Sequence, residues 1–189
     1  MSFNVPSSFF CVFKTGDNVN YNLSILRTLY DLSDKYPGRA ALLLKPKTFI
    51  LTAVIEAILH DFHVRIRSNN NEGIEGLFED AIQYIRNKKI DEFDKYIQSA
   101  KHHDLFDAKD SDFYEALNNL RLIRNRIHIQ NKYNHKPADE DRVFTNEVLI
   151  NSEKCLEKIA KVMNSKYPRL DALREYVAQM IFPWIEHFD

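Results

Sequence analysis

Between Phe49 and Leu59 nine of eleven residues are apolar, and a single one, Glu56, is charged. Read at helical period, these side chains cover almost the whole circumference, which a helix tolerates only when it is buried on nearly every side. The stretch from Lys47 to about Arg67 is therefore predicted as a central helix, with Pro46 in its first turn, where a missing backbone N–H costs nothing. An ion left unpaired in such a core costs several kcal/mol. Glu56 must then be neutral, hydrated or paired.

Other segments with apolar residues three and four apart follow along the chain. One helix is expected from near Asp17 through Leu23, Leu26 and Tyr30 to before Pro37, because the residue preceding a proline is pushed out of the helical region. Asn69 to Gly73 is a loop by composition, after which Leu77, Phe78, Ala81, Ile82 and Ile85 mark a shorter helix ending in Lys88 and Lys89. Another begins at Asp91, buries Phe93, Tyr96, Ile97 and Ala100, and closes with His102 and His103, where cations suit the helix dipole. A long helix from about Asn146 to Lys166 is stopped by Tyr167-Pro168. The tail from Arg169 to Asp189 is so apolar that it must dock on the body or on another subunit. The first sixteen residues, with Phe9 to Phe13, either strap across the bundle or add a short strand.

Four Gly and six Pro in 189 residues leave too little punctuation for the tight turns of an all-β chain. The chain is accordingly predicted as all-α, a helical bundle in one domain over residues 1–189, since 44% hydrophobic content at this length suffices for one sizeable core. Cys11 and Cys155 show neither metal-ligand spacing nor a disulfide framework, and no run reaches the ~18 apolar residues of a membrane span. A cytoplasmic protein with no membrane association is the expectation. No P-loop, dinucleotide glycine motif or internal repeat is present, and no cofactor is implied.

The chemistry concentrates between Asp112 and Tyr133, a motif helix around which the rest is expected to be organised. Phe113, Ala116, Leu117, Leu120 and Ile127 form its core face, with Ser111 as the expected N-cap. At 100° per residue Arg124 falls within about 20° of Phe113, so a guanidinium sits where leucine belongs. Arg121, Asn125 and His128 share the flank of that face, while Leu122 and Ile129 project from the opposite side toward a partner subunit or the tail. No acidic residue lies from Ala116 to Ala138, whereas Arg121, Arg124, Arg126, Lys132 and Lys136 are basic; with a net charge of only −1 for the whole chain, the positive charge is local. Local positive charge is what phosphate recognition requires. Arg124 is also the natural counter-ion for Glu56. Glu56, His60 and His63 share one face of the central helix, but a metal needs ligands from elsewhere, and no second cluster is evident, so no metal is predicted.

The run Leu120-Arg121-Leu122-Ile123-Arg124-Asn125-Arg126-Ile127-His128 resembles the signature helix of the HEPN superfamily, small all-α proteins. Their motif is an Arg, usually followed by a polar residue such as Asn, with a His four to six residues further along. Arg124-Asn125 matches the dipeptide with three residues before His128; Arg121 has six intervening residues but lacks the Asn. The resemblance implies metal-independent RNA cleavage, a toxin or defence role, control by an antitoxin or other regulatory protein, and a composite site across a homodimer. Arg124 and His128 would form the catalytic pair, with Arg121 as the alternative arginine, Asn125 orienting, and Arg126, Lys132 and Lys136 attracting RNA. The competing expectation is a non-catalytic module for dimerisation or for nucleotide or RNA binding, with Arg124 neutralised by Glu56.

Overall fold

The structure, a computed structural model, describes residues 2–9, 14–68, 72–109, 111–127, 139–169 and 179–188. Six α-helices dominate it: α1 (Lys14–Lys35), α2 (Leu44–Arg67), α3 (Glu79–Asn87), α4 (Phe93–His102), α5 (Phe113–Arg124) and α6 (Asn146–Lys166). Two short strands, β1 (Phe3–Val5) and β2 (Met180–Phe182), pair antiparallel with Asn4 opposite Ile181. The protein is an all-α helical bundle to which the two chain ends add this small ladder. The N-terminal segment therefore adds a strand.

At the centre, α2 packs against α1, α3, α4, α5 and α6. Leu51, Ile55, Leu59, Phe62 and Ile66 are fully buried, as its near-circumferential apolar pattern demands. Burial of each such side chain stabilises by about 1.5–3 kcal/mol. What α2 leaves open is one narrow line, Ala53, His60 and Arg67, spaced seven residues apart, with Glu56, Ala57 and Val64 half-buried beside it. That line is where its polar side chains can meet solvent and partners.

α5 packs against α2, α4 and α6, burying Phe113, Tyr114, Leu117 and Leu120. It is shorter than the motif pattern suggested, because after Arg124 the chain tightens into a 3-10 turn over Asn125–Ile127, and residues 128–138 lie outside the described ones. Asn and Ile are poorer helix formers than the Leu and Arg before them. Its N-cap is Asp112, without a side-chain bond, and Ser111 instead accepts from the Phe113 N–H at 3.4 Å. α6 is capped by Thr145, whose hydroxyl accepts from the Val148 N–H at 3.3 Å.

The corner after α6 is pinned to the end of α2. Gly73 has φ of +64°, and a Cβ there would fall 2.5 Å from the Pro168 carbonyl oxygen, so only glycine fits. Arg169 reaches Glu72 at 3.5 Å and Asp61 at 3.9 Å across the same corner.

Candidate functional site

The open line of α2 and the last turn of α5 converge on one ion pair. Arg124 Nη2 lies 2.7 Å from Glu56 Oε2, with 43% of the arginine side chain and 24% of the glutamate side chain exposed. Helical phase put Arg124 in the middle of the apolar face of α5. The structure places it instead at the rim, where a guanidinium reaches both its counter-ion and solvent. A half-exposed pair of this kind is worth about 0.2–1 kcal/mol, well below the cost of breaking a buried one. As the last residue of α5, Arg124 also places its charge at the negative end of the helix dipole.

The other sequence candidates do not all join it. Arg121 turns back along α5, donating from Nε and Nη2 to Asn118 Oδ1 at 3.0 and 2.9 Å, so its fork is engaged within its own helix. Asn125 is half-buried in the tight turn. Arg126, expected to face RNA, is only 6% exposed, whereas Ile127, expected in the core, is 59% exposed. The helical phase that placed Ile127 in the core ends with α5 at Arg124, and the following turn has a different period. Ile127 is therefore not a core residue, and the Arg126 side chain lies inside rather than on the open surface. His128, Lys132 and Lys136 lie outside the described residues.

The histidines of α2 separate. His60 is exposed and edge-on to Tyr96 of α4, at 5.9 Å between ring centroids. His63 is 1% exposed, and its Nδ1–H donates to the Leu59 carbonyl oxygen at 2.7 Å, since a carbonyl can only accept. Burial pulls its pKa down to about 4, so the ring is neutral. Among the described residues no group of three or more His, Cys, Asp and Glu is placed to hold a metal.

A second polar cluster escaped the sequence reading altogether. Glu153 and Glu157, one turn apart on α6, are 5% and 0% exposed. Glu157 accepts the backbone N–H of His187 at 3.0 Å and of Phe188 at 2.8 Å, and Lys161 Nζ lies 3.1 Å away. Glu153 accepts from the Tyr30 hydroxyl and pairs with His187 Nε2 at 2.8 Å. Lys47 lies 3.9 Å over the Tyr30 ring and donates to Ser33 Oγ at 2.7 Å; burial lowers its pKa, and burial and Glu153 raise that of Tyr30. The cluster holds the C-terminal segment to the bundle. Its signal was a pair of carboxylates four apart beside the apolar stripe of α6, a pattern shared by any solvated helix face. Burial also pushes the Cys155 thiol up to about 12, which leaves it protonated and unreactive.

No protein-family model, curated protein or solved structure matches this chain.

Proposed function

We propose that the protein is a HEPN-type, metal-independent endoribonuclease, with Arg124 and His128 as its reacting pair. The observation that carries this reading is the state of Arg124, which is half-exposed with its Nη2 2.7 Å from Glu56 Oε2. A guanidinium has five donors in a rigid fork, so such an arginine keeps donors for a phosphate while a carboxylate fixes its orientation. A purely structural arginine would be buried with its donors satisfied.

In this reading the 2′-oxygen of RNA attacks the adjacent phosphorus and the 5′-oxygen of the next nucleotide leaves. The products are a 2′,3′-cyclic phosphate and a 5′-hydroxyl. His128, whose side-chain type titrates near pH 6.5, moves the proton at one of these oxygens, and Arg124 stabilises the charge on the phosphorane. Asn125 orients, and Arg121, Lys132 and Lys136 contribute attraction that is independent of sequence. A toxin or defence role under an antitoxin belongs to the same reading.

A second reading has its own support: Arg121 is engaged by Asn118 and Arg126 is buried, which suits a non-catalytic RNA-binding or dimerisation module. Purified protein incubated with a mixed RNA pool in chelator separates the two. The nuclease reading expects cleavage with cyclic-phosphate ends, lost in His128→Ala and reduced in Arg124→Ala by at least 100-fold, on the scale of removing one charge-stabilising donor. Binding without cleavage establishes the module. Cleavage that vanishes with chelator overturns the proposed chemistry.

A further inference from the structure

At the surface where α3 and α4 end, three aromatic rings and several cations come together. Tyr84 of α3 stacks on His102 of α4, with centroids 5.1 Å apart and planes at 25°. His103 meets the Tyr84 ring edge-on at 4.8 Å and the His102 ring at 4.6 Å. Lys88 Nζ lies 4.0 Å from the Tyr84 centroid. His102 is exposed, so the stack continues outward to a ring in solvent; Lys88, which lies over Tyr84, is exposed too, as are its neighbour Lys89 and Lys101, the residue before His102. Acids lie nearby: Asp91 pairs with Lys89 at 3.3 Å, Asp80 acts on His103, and Asp104 follows His103 in the chain. Lys88 and Lys101 have no carboxylate within ion-pair distance among the described residues, so their charges are available to an anion.

Separately, these features have ordinary explanations. Cations at helix ends suit the dipole, and that is all the spacing of His102 and His103 implied. Assembled, they make what a single-stranded nucleic acid needs: a flat π-surface for a base and cations for the phosphates on either side. A protein partner fits less well, because interface cores are depleted in lysine.

We infer that Tyr84, His102 and His103, with Lys88 and Lys101, form a stacking platform for single-stranded RNA. This rests on the RNA-directed function proposed above and adds a base contact to the phosphate contacts of the basic run at Arg124. The platform is distinct from the Glu56–Arg124 pair. Arg86 Nε of α3 donates to the Ile66 carbonyl, tying the platform to a point ten residues along α2 from Glu56, about 15 Å at the helical rise.

The test is fluorescence anisotropy of a short dye-labelled single-stranded oligoribonucleotide of mixed sequence, in chelator, with His128→Ala protein so that the probe stays intact. Adding His102→Ala is expected to weaken binding about tenfold, the size of one lost base stack. His102→Tyr, which keeps a flat ring, should restore it, and Lys88→Glu with Lys101→Glu should weaken binding and flatten its salt dependence. Exposed His102 can change without disturbing the core, so loss of binding in a protein with unchanged helical signal is a surface effect. Equal affinity of the His102→Ala variant overturns the platform while leaving the nuclease reading intact. Affinity for duplex RNA equal to that for the single strand, or no RNA binding at all, also overturns it. If wild-type protein cuts no RNA but binds it through His102, the platform stands and the nuclease reading falls.

Discussion

His63 is a neutral imidazole closed inside the bundle, with Tyr96 5.0 Å away and its pKa pulled from 6.5 down to about 4 by burial. The unfolded chain therefore binds a proton at this residue between pH 6.5 and 4 that the folded chain refuses. Its contribution to stability is complete above pH 6.5 and is lost as pH falls toward 4. The shift corresponds to about 3 kcal/mol across that window. Thermal melts of wild type and His63→Leu over this range should differ in slope, the variant losing less stability on acidification. Asp61, whose pKa burial raises, contributes in the opposite sense in both proteins and cancels in the difference. Parallel slopes would show that His63 protonates in the folded state.

At the scale of elements, α6 and the C-terminal segment form one unit. β2 pairs with β1, Trp184 is 5% exposed and stacked on Phe182 at 4.8 Å, and the backbone of His187 and Phe188 ends on Glu157. A carboxylate with no exposure is stable there because peptide N–H groups and Lys161 replace its water. Glu157→Ala strands those N–H groups and should cost about 3–5 kcal/mol, the range for breaking a buried charged pair. Trp184 is the single tryptophan of the chain, so its emission reports the segment. A red shift with unchanged far-ultraviolet helical signal is the expected result. Unshifted emission would mean that the strand pair and ring stack hold the segment without Glu157.

At the scale of the whole molecule, the back of α5 presents apolar surface. Leu122 is 36% exposed and Ile129 lies outside the described residues, while the described part of the tail docks on β1, α1 and α6. Among the described elements β2 packs on β1 and α1, whereas α5 packs on α2, α4 and α6. A twofold homodimer with α5 near its interface, which the resemblance to HEPN proteins implies, would cover Leu122 and bring the two basic runs together. Light scattering at micromolar concentration should then report a dimer that Leu122→Glu converts to monomer. A monomeric wild type, or a dimer indifferent to Leu122→Glu, removes α5 from the interface.

The chain by itself determined the all-α class, the central position of α2, the limits of α6 and the proline-defined end of α1. Each follows from local periodicity and backbone sterics, and those signals lie in consecutive residues. The meeting of Glu56 with Arg124 was also legible, because one charge in an apolar helix and one in another's apolar face seek each other. What only the tertiary structure decided is how exposed that pair is, since exposure depends on where α2 leaves its open line. It likewise decided that Arg126 turns inward and Ile127 outward, a consequence of ending α5 at Arg124, which helical phase cannot foresee. The buried pair Glu153 and Glu157 and the stacked rings of Tyr84 and His102 join residues far apart in sequence. Long-range packing determines such contacts, and the sequence marks them only with residues that are ordinary on any helix.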